Sequence, residues 1–207
     1  MKRGILAQRG GGSGTQLGPW RPGRQWRRGG IPPRLWPWLF DPGSLTASLR
    51  RACAGRLRVE VLRQGLGRPR RDECLALGIP CHARALIRQV YLRCEGEPWV
   101  YARTVIPLSS LRGRLRRLRH LGVQPLGALL FADPAMTREP VAVARIEPGS
   151  RLHALALADS PPHAGCLWAR RTCYRLSGHP LLVSEFFLPA LPDHPTAAAQ
   201  NARCRPA

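Results

Sequence analysis

Lysine is almost absent from this sequence of 207 residues, since Lys2 is the only lysine among 33 basic residues. With 12 acidic residues the formal net charge is +21, and arginine carries nearly all of it. Such a surface attracts anions over a Debye length, and guanidinium groups pair well with carboxylates and phosphates. The arginines are dispersed along the chain and are not grouped with exposed aromatic residues, so we expect no nucleic-acid partner.

Long apolar runs and closely paired cysteines are missing as well. No run approaches the ~18 apolar residues of a membrane span, so we expect none. The seven cysteines form no CxxC pair, and their spacing does not match a structural zinc site, so we expect no metal. An odd number of cysteines without a secretory apolar region predicts reduced thiols and a cytoplasmic location.

The common catalytic signatures are absent too. The sequence has no GxSxG, no P-loop, no HExxH, and no GxGxxG that follows a strand. Its six histidines lie mostly in loops or beside proline, and none is spaced with a nucleophile in a recognisable way. A general-base histidine is therefore not expected.

Composition divides the chain into three regions. Residues 1–30 are rich in Gly, Arg and Pro with few apolar residues, which predicts a disordered extension. An RNA-binding tail of the RGG type is the alternative for this segment. Residues 31–191 have enough apolar sequence for one folded domain, and residues 192–207 are predicted to be loop or a disordered tail.

Helical patterns occur in four places. Ser44 is a candidate N-cap for a helix that begins at Leu45 and ends at Gly55. The run SSLRGRLRRLRHLG predicts an amphipathic helix, and QPLGALLF predicts a short helical turn. Residues 147–165 are interpreted as an inserted excursion that contains one further short helix.

Strand patterns dominate the rest of the domain. RLRVEVLRQG alternates as a half-buried strand does, residues 65–80 are predicted to be a loop, and TREPVAVARI resumes the alternation. Two hairpins are predicted, one joined by EGEP and one joined by SGHP. Strands connected by hairpins around a few helices predict an α+β fold with a single antiparallel β-sheet and flanking helices.

A lone carboxylate, Glu185, lies within the apolar strand PLLVSEFFLP. Burying an ionised carboxylate is costly unless a cation or hydrogen-bond donors meet it, so a structural ion pair or a strand-edge position explains it most simply. Arg88 and Arg103 are also placed among apolar strand residues. One acid cannot neutralise two arginines, so a cavity lined by all three would suit an anionic ligand with a carboxylate and a hydroxyl.

Four motifs together resemble the chorismate pyruvate-lyase family: WLFDPGSLTASLR, EGEPWVYARTVIP, LGVQPLGALLF and LWARRTCYRLSGHPLLVSEFFLP. The resemblance covers residues 35–190 in the order of the family. It implies two helical flaps over a buried site without a cofactor, and the conversion of chorismate to 4-hydroxybenzoate and pyruvate. This reaction is the first committed step of ubiquinone biosynthesis, and we expect a monomer.

The resemblance also implies roles for individual residues. Arg88, assisted by the backbone of Leu126, pairs with the ring carboxylate. Glu185 and the backbone of Leu45 face the ring hydroxyl. Arg103 is the expected partner of the enolpyruvyl carboxylate. Two roles stay open for Glu185, because it either helps a proton move or only holds the ring.

A second function class is a ligand-sensing module of the same fold that binds a small aromatic carboxylate without catalysis. Such modules occur in transcription regulators, so this alternative predicts a helix-turn-helix domain in the chain. The first 34 residues cannot form one. The long excursion and the Gly/Arg-rich extension depart from the family pattern but do not touch the expected site.

Overall fold

The computed structural model describes residues 18–53 and 56–195. Short helices alternate with long strands along this part of the chain. The α-helices are α1 (Trp36–Phe40), α2 (Leu45–Ala52), α3 (Arg71–Leu77), α4 (Leu126–Phe131) and α5 (Arg151–Ala156). The 3-10 helices are Gly23–Gln25, Arg28–Gly30, Pro33–Leu35, Leu108–Ser110 and Gly113–His120.

The strands form one antiparallel sheet. They are β1 (Arg21–Pro22), β2 (Leu57–Gly67), β3 (Ala85–Cys94), β4 (Glu97–Pro107), β5 (Thr137–Arg138), β6 (Ala142–Ile146), β7 (Leu167–Leu176) and β8 (His179–Phe187). Their order is β1-β6-β7-β8-β4-β3-β2, and β5 pairs with the outer part of β7. The predicted α+β class with a single antiparallel sheet is confirmed, as are both predicted hairpins.

Helices cover both faces of the sheet. On the first face, α1 and α2 pack over one apolar cluster, and α4 with the 3-10 helix Gly113–His120 packs over another. On the second face, α5 and α3 cover a central aromatic cluster and a smaller aliphatic one. The two apolar clusters of the first face leave the middle of that face for polar residues, and the site described below lies there.

The helix predicted at Leu45 is confirmed. It begins at Leu45, and the Ser44 side chain accepts a hydrogen bond from the Ala47 N–H as an N-cap. Its predicted end at Gly55 lies outside the described residues. The short helices predicted in QPLGALLF and in the 147–165 excursion are also present, as α4 and α5.

The prediction of a loop over residues 65–80 is wrong. Strand β2 continues to Gly67, and α3 occupies residues 71–77. The Glu73 carboxylate accepts the Arg70 backbone N–H at 2.8 Å, and Gly78 ends the helix with a left-handed φ of 65°. A Glu three residues after the N-cap and a Gly after the last turn are ordinary helix signals, which the density of Gly, Pro and charge obscured.

The amphipathic helix predicted in SSLRGRLRRLRHLG is a 3-10 helix, Gly113–His120. Leu115, Leu118 and Leu121 are buried and recur every third residue. A repeat of three matches a 3-10 helix, in which residues i and i+3 are eclipsed, better than the 3.6-residue turn of an α-helix.

The predicted domain boundaries at 31 and 191 are too narrow. Trp20 is buried against Phe186, and β1 pairs with β6, so residues 18–30 belong to the fold. At the other end, His194 is buried and stacks edge-on against Trp38. The physical reason is that sparse aromatic residues anchor both segments despite their polar composition. Residues 1–17 and 196–207 lie outside the described part.

The expectation that all the thiols are reduced is also wrong. Cys53, at the end of α2, and Cys94, at the end of β3, form a disulfide. Within the described ranges, no helix has both the length and the apolar character needed to cross a membrane. The cytoplasmic location and the monomeric state stay predictions.

Replacing Trp20 with Ala should lower the free energy of unfolding by about 3 to 5 kcal/mol, because a buried indole is lost from the second-face core. Chemical denaturation followed by circular dichroism measures the change. Val123, which is 70% exposed, provides the control, and Val123→Ala should change the free energy of unfolding by less than about 0.5 kcal/mol. Equal stabilities of the Trp20→Ala variant and the parent would show that Trp20 does not anchor residues 18–30 to the fold.

Candidate active site

A cavity opens in the middle of the first face, between the two apolar clusters. Its floor is formed by β3, β4, β7 and β8, and its walls are the starts of α2 and α4. Four of the five predicted site residues line it: Leu45, Arg88, Leu126 and Glu185. Arg103 does not.

The register of the sheet sets the floor of the cavity. Ala102 on β4, Glu185 on β8 and Arg170 on β7 are direct cross-strand neighbours in one row. The Arg170 Nε donates to Glu185 Oε2 at 2.5 Å. Because Ala102 has only a methyl side chain, the row leaves open space beside the carboxylate. Glu185 is therefore a paired carboxylate that still borders a cavity.

Arg170 is 1% exposed and is held from several directions. Besides Glu185, its Nη1 donates to the Trp38 carbonyl at 2.9 Å and to the Asp41 carbonyl at 3.2 Å. Desolvation by itself lowers the pKa of Arg170, but the charge and hydrogen bond of Glu185 outweigh it, so the pKa lies above its ordinary value. A fully charged Arg170 thus fixes both Glu185 and the segment that joins α1 to α2.

Arg88 is 4% exposed and has a different environment. Its Nη2 donates to the carbonyls of Gly122 at 2.8 Å and Gln124 at 3.3 Å. Gly122 adopts a left-handed φ of 53°, which turns the chain after the 3-10 helix. Arg88 has no carboxylate partner in the described chain, its Nε is buried without a hydrogen-bond partner there, and desolvation lowers its pKa. This buried cation is suited to receive an anion.

The two walls of the cavity meet at Gly127. A Cβ at this position would lie 3.0 Å from the Ser44 Oγ, so the missing side chain lets α4 pack tightly against the start of α2. Leu45 and Leu126 are the first residues of their helices, and N–H groups in a first turn have no intrahelical acceptor. Both walls therefore present backbone donors near the cavity.

Arg103 lies on the second face of the sheet. Its Nε and Nη2 donate to the two carboxylate oxygens of Glu73 at 2.7 and 3.1 Å, and Glu73 is fully buried on α3. Arg70 adds a second contact to the same carboxylate, at 2.9 Å. The structure thus assigns Arg103 to a structural ion pair, and it does not bring this residue to the cavity.

A β-bulge explains why Arg88 and Arg103 face opposite sides. In the β3–β4 hairpin the turn pairs Cys94 with Glu97, and a regular ladder would then place Arg88 opposite Arg103. The pairing shifts by one residue at Trp99, so Arg88 lies opposite Thr104 instead. A shift of one residue moves every later side chain on the strand to the other face.

Two residues that organise the two faces, Arg170 and Glu73, are not among the predicted site residues. Arg170 could have been predicted from the second hairpin. Counting six residues outward from the Leu176–His179 pair places it opposite Glu185. Glu73 was missed because its segment was predicted to be a loop. Its helix-capping position was the only local signal.

A family model described as chorismate lyase matches residues 20–195, which is most of the chain. The chain belongs to the chorismate lyase family. A probable chorismate pyruvate-lyase of Azoarcus sp. (strain BH72) is 48% identical over 169 residues, or 78% of this chain and 89% of the relative. Another from Methylococcus capsulatus (strain ATCC 33009 / NCIMB 11132 / Bath) is 43% identical over 161 residues, or 78% of this chain and 98% of the relative.

Among solved structures, this chain is similar to the C-terminal domain of the histidine utilization repressor from Pseudomonas syringae pv. tomato str. DC3000. The TM-score is 0.50 at 14% identity, and the match covers 65% of this chain and 93% of that domain. At this identity the similarity shows a shared fold and nothing about function.

The Glu73–Arg103 pair generates a stability prediction. Glu73→Gln should cost about 3 to 5 kcal/mol, because two arginines lose a buried counter-charge. Desolvation raises the pKa of Glu73, but its arginines outweigh that and the pKa lies below the ordinary 4.5. Its contribution is therefore complete above about pH 4.5 and is lost as the pH falls through the lower folded value.

Urea denaturation between pH 3 and 7 measures this effect. The parent should lose stability toward low pH more steeply than the Glu73→Gln variant. Glu60→Gln removes a half-exposed partner of Arg93 and should cost no more than about 1 kcal/mol. Equal losses in the two variants would contradict the buried-pair assignment.

Proposed function

We propose that this chain eliminates pyruvate from chorismate to give 4-hydroxybenzoate, the ring precursor for ubiquinone. The observation that carries the proposal is the first-face cavity, where buried Arg88, without a carboxylate partner in the described chain, lies near the Arg170–Glu185 pair. Two guanidinium groups and one carboxylate leave a net positive charge, which suits a dicarboxylate that also carries a hydroxyl. Family membership and relatives named as probable chorismate pyruvate-lyases support the same reaction.

The reaction needs little chemical assistance from the protein. The ether bond between C3 and the enolpyruvyl oxygen breaks, and the hydrogen on C4 is lost as a proton while its electron pair completes the aromatic ring. The departing enolpyruvate gains a proton on its methylene carbon and becomes pyruvate. Because aromatisation makes the elimination strongly downhill, holding the substrate in the reactive geometry supplies much of the catalysis.

Arg88 is proposed to bind the ring carboxylate. Its Nη2 is held by two backbone carbonyls while its Nε has no partner among the described residues, so the guanidinium is fixed and can still donate. The Leu126 N–H, at the start of α4, lies in the same cavity wall and is proposed as a second donor. A carboxylate between them would receive charge-assisted hydrogen bonds in a site shielded from water.

Glu185 is proposed to accept a hydrogen bond from the C4 hydroxyl. Its Oε2 is engaged by Arg170, which leaves Oε1 for the substrate. The backbone of Leu45 lies in the wall beside it. The cavity is lined by Arg170 and not by the expected Arg103. Arg170 is therefore proposed to provide the second positive charge, which attracts the enolpyruvyl carboxylate.

A ligand-sensing module is the weaker alternative. The similarity to a repressor domain shows only the fold, and the described chain contains no helix-turn-helix domain beside the sheet. A sensor would bind chorismate or its product and release it unchanged. Turnover separates the two functions directly.

Purified protein mixed with chorismate, with no metal or nucleotide added, should form 4-hydroxybenzoate and pyruvate in equal amounts, as followed by chromatography. Arg88→Ala should lower kcat/KM by an amount that corresponds to about 2 to 5 kcal/mol, because a buried carboxylate loses its cation. Arg58→Ala removes an exposed arginine of β2 and should leave kcat/KM unchanged. Intact chorismate after incubation with the folded parent protein would refute the proposed reaction.

Replacing Glu185 with Gln should raise KM about tenfold, because the ring hydroxyl loses a charged acceptor, while kcat should fall by less than about threefold, because Gln keeps an acceptor oxygen at that position. Steady-state kinetics on chorismate measure both constants, and circular dichroism verifies the fold. A fall in kcat of about a hundredfold or more would instead assign proton transfer to this carboxylate. Glu60→Gln, on the exposed edge of β2, is the matched control.

A further inference from the structure

A second cavity lies on the opposite face of the sheet, and the proposed reaction does not use it. It has a volume of about 280 Å³ and is bounded by β2, β3, β4, the β2–α3 connection and α5. Arg103 lies at its floor, beside Gln89 of β3. We call it the second-face pocket.

Of two glycines on β2 that line the pocket, one leaves it hollow. Gly65 and Gly67 alternate onto the same face as Arg63, and they pair with Ile87 and Ala85 of β3. A Cβ at Gly67 would lie 2.9 Å from the Ile87 Cδ1, so the Ile87 side chain already occupies the space over that glycine. A Cβ at Gly65 would meet no atom within 4 Å. The space above Gly65 is therefore empty and accessible, and it does not result from a close backbone contact.

Positive charge surrounds this space. Five arginines line the pocket and no acidic residue does: Arg63, Arg68, Arg70, Arg103 and Arg151. Glu73 and Asp72 lie behind the wall, where they pair with Arg70, Arg103 and Arg171. These two acids neutralise only part of this positive charge. The other three lining arginines, Arg63, Arg68 and Arg151, form no ion pair within the described chain. A concave surface with this charge concentrates anions.

One lining residue has unused hydrogen-bonding capacity. The Nη1 of Arg70 is buried and has no hydrogen-bond partner among the described residues. Buried polar atoms are nearly always paired, so an unpaired guanidinium nitrogen beside a cavity points to an acceptor that binds there. The lining arginines approach from β2, from the β2–α3 connection, from β4 and from α5. Donors from several directions match the tetrahedral oxygens of phosphate better than a planar carboxylate.

We propose that the second-face pocket binds a small phosphate-bearing ligand, with Arg63, Arg68 and Arg70 contacting its phosphate oxygens. Leu155 and Ile87 add apolar surface for the rest of the ligand. The site is independent of the proposed lyase reaction, because the two cavities lie on opposite faces of the sheet. Arg88 faces the first cavity, and its chain neighbour Gln89 faces the second.

Isothermal titration with inorganic pyrophosphate at fixed ionic strength tests the proposal. The parent should bind one equivalent saturably. Gly65→Val should weaken binding at least about tenfold, since a Cβ there meets no atom within 4 Å and the larger side chain would enter the pocket. Arg63→Ala should weaken it by a similar factor through the loss of a charge-assisted hydrogen bond. Citrate should bind at least about tenfold more weakly than pyrophosphate if tetrahedral groups are recognised.

Two controls locate the bound anion. Arg58→Ala removes the same charge from the same strand outside the pocket, and Arg88→Ala removes the cation of the first cavity; both should bind pyrophosphate like the parent. Equal weakening by Arg58→Ala and Arg63→Ala would mean that only net charge matters, and loss of binding in Arg88→Ala would place the anion in the first cavity. Either result overturns the proposal, as would the absence of saturable binding or equal affinity for citrate. If Gly65→Val does not fold, the comparison of Arg63→Ala with Arg58→Ala decides alone.

Discussion

A buried guanidinium must meet hydrogen-bond acceptors, and this requirement organises the centre of the sheet. Three arginines are almost wholly removed from solvent on the central strands: Arg88, Arg103 and Arg170. Arg103 meets the Glu73 carboxylate, and Arg170 meets Glu185 together with two backbone carbonyls. Arg88 meets only backbone carbonyls in the described chain, so its charge is the one left for a ligand.

The carbonyls that satisfy these arginines come from the segments that cover the site. Arg170 donates to the carbonyls of Trp38 in α1 and of Asp41 directly after α1, while Arg88 donates to those of Gly122 and Gln124, which lead into α4. Each wall of the cavity is thus tied to a cation on its floor. The same charges that are proposed to bind an anionic substrate also position the segments that enclose the cavity. The proposed binding charge and the order of the cavity walls are therefore coupled in this fold.

Much of this arrangement follows from sequence patterns that act locally. Alternation places Arg88 and Glu185 among apolar side chains, and a capping serine starts the helix at Leu45, so these features are predictable without a structure. The Arg170–Glu185 pair also follows from a hairpin whose turn has two residues. Glu73 could not be anticipated in the same way, because its value as a counter-ion depends on tertiary packing of α3 against the second face.

The bulge at Trp99 shows most clearly what cannot be predicted from the sequence alone. One unpaired residue there decides which arginine lies on which face of the sheet. With a regular ladder, Arg88 and Arg103 would be direct cross-strand neighbours on one face, and like charges in that position repel. The bulge separates them, so Arg88 faces the first cavity and Arg103 pairs with Glu73 on the second face. Sequence alternation gives the face of a residue relative to its own strand, but a bulge is set by the fit between two strands and their packing layers. The two proposed anion-binding cavities, back to back on one sheet, therefore depend on a feature that no single strand encodes.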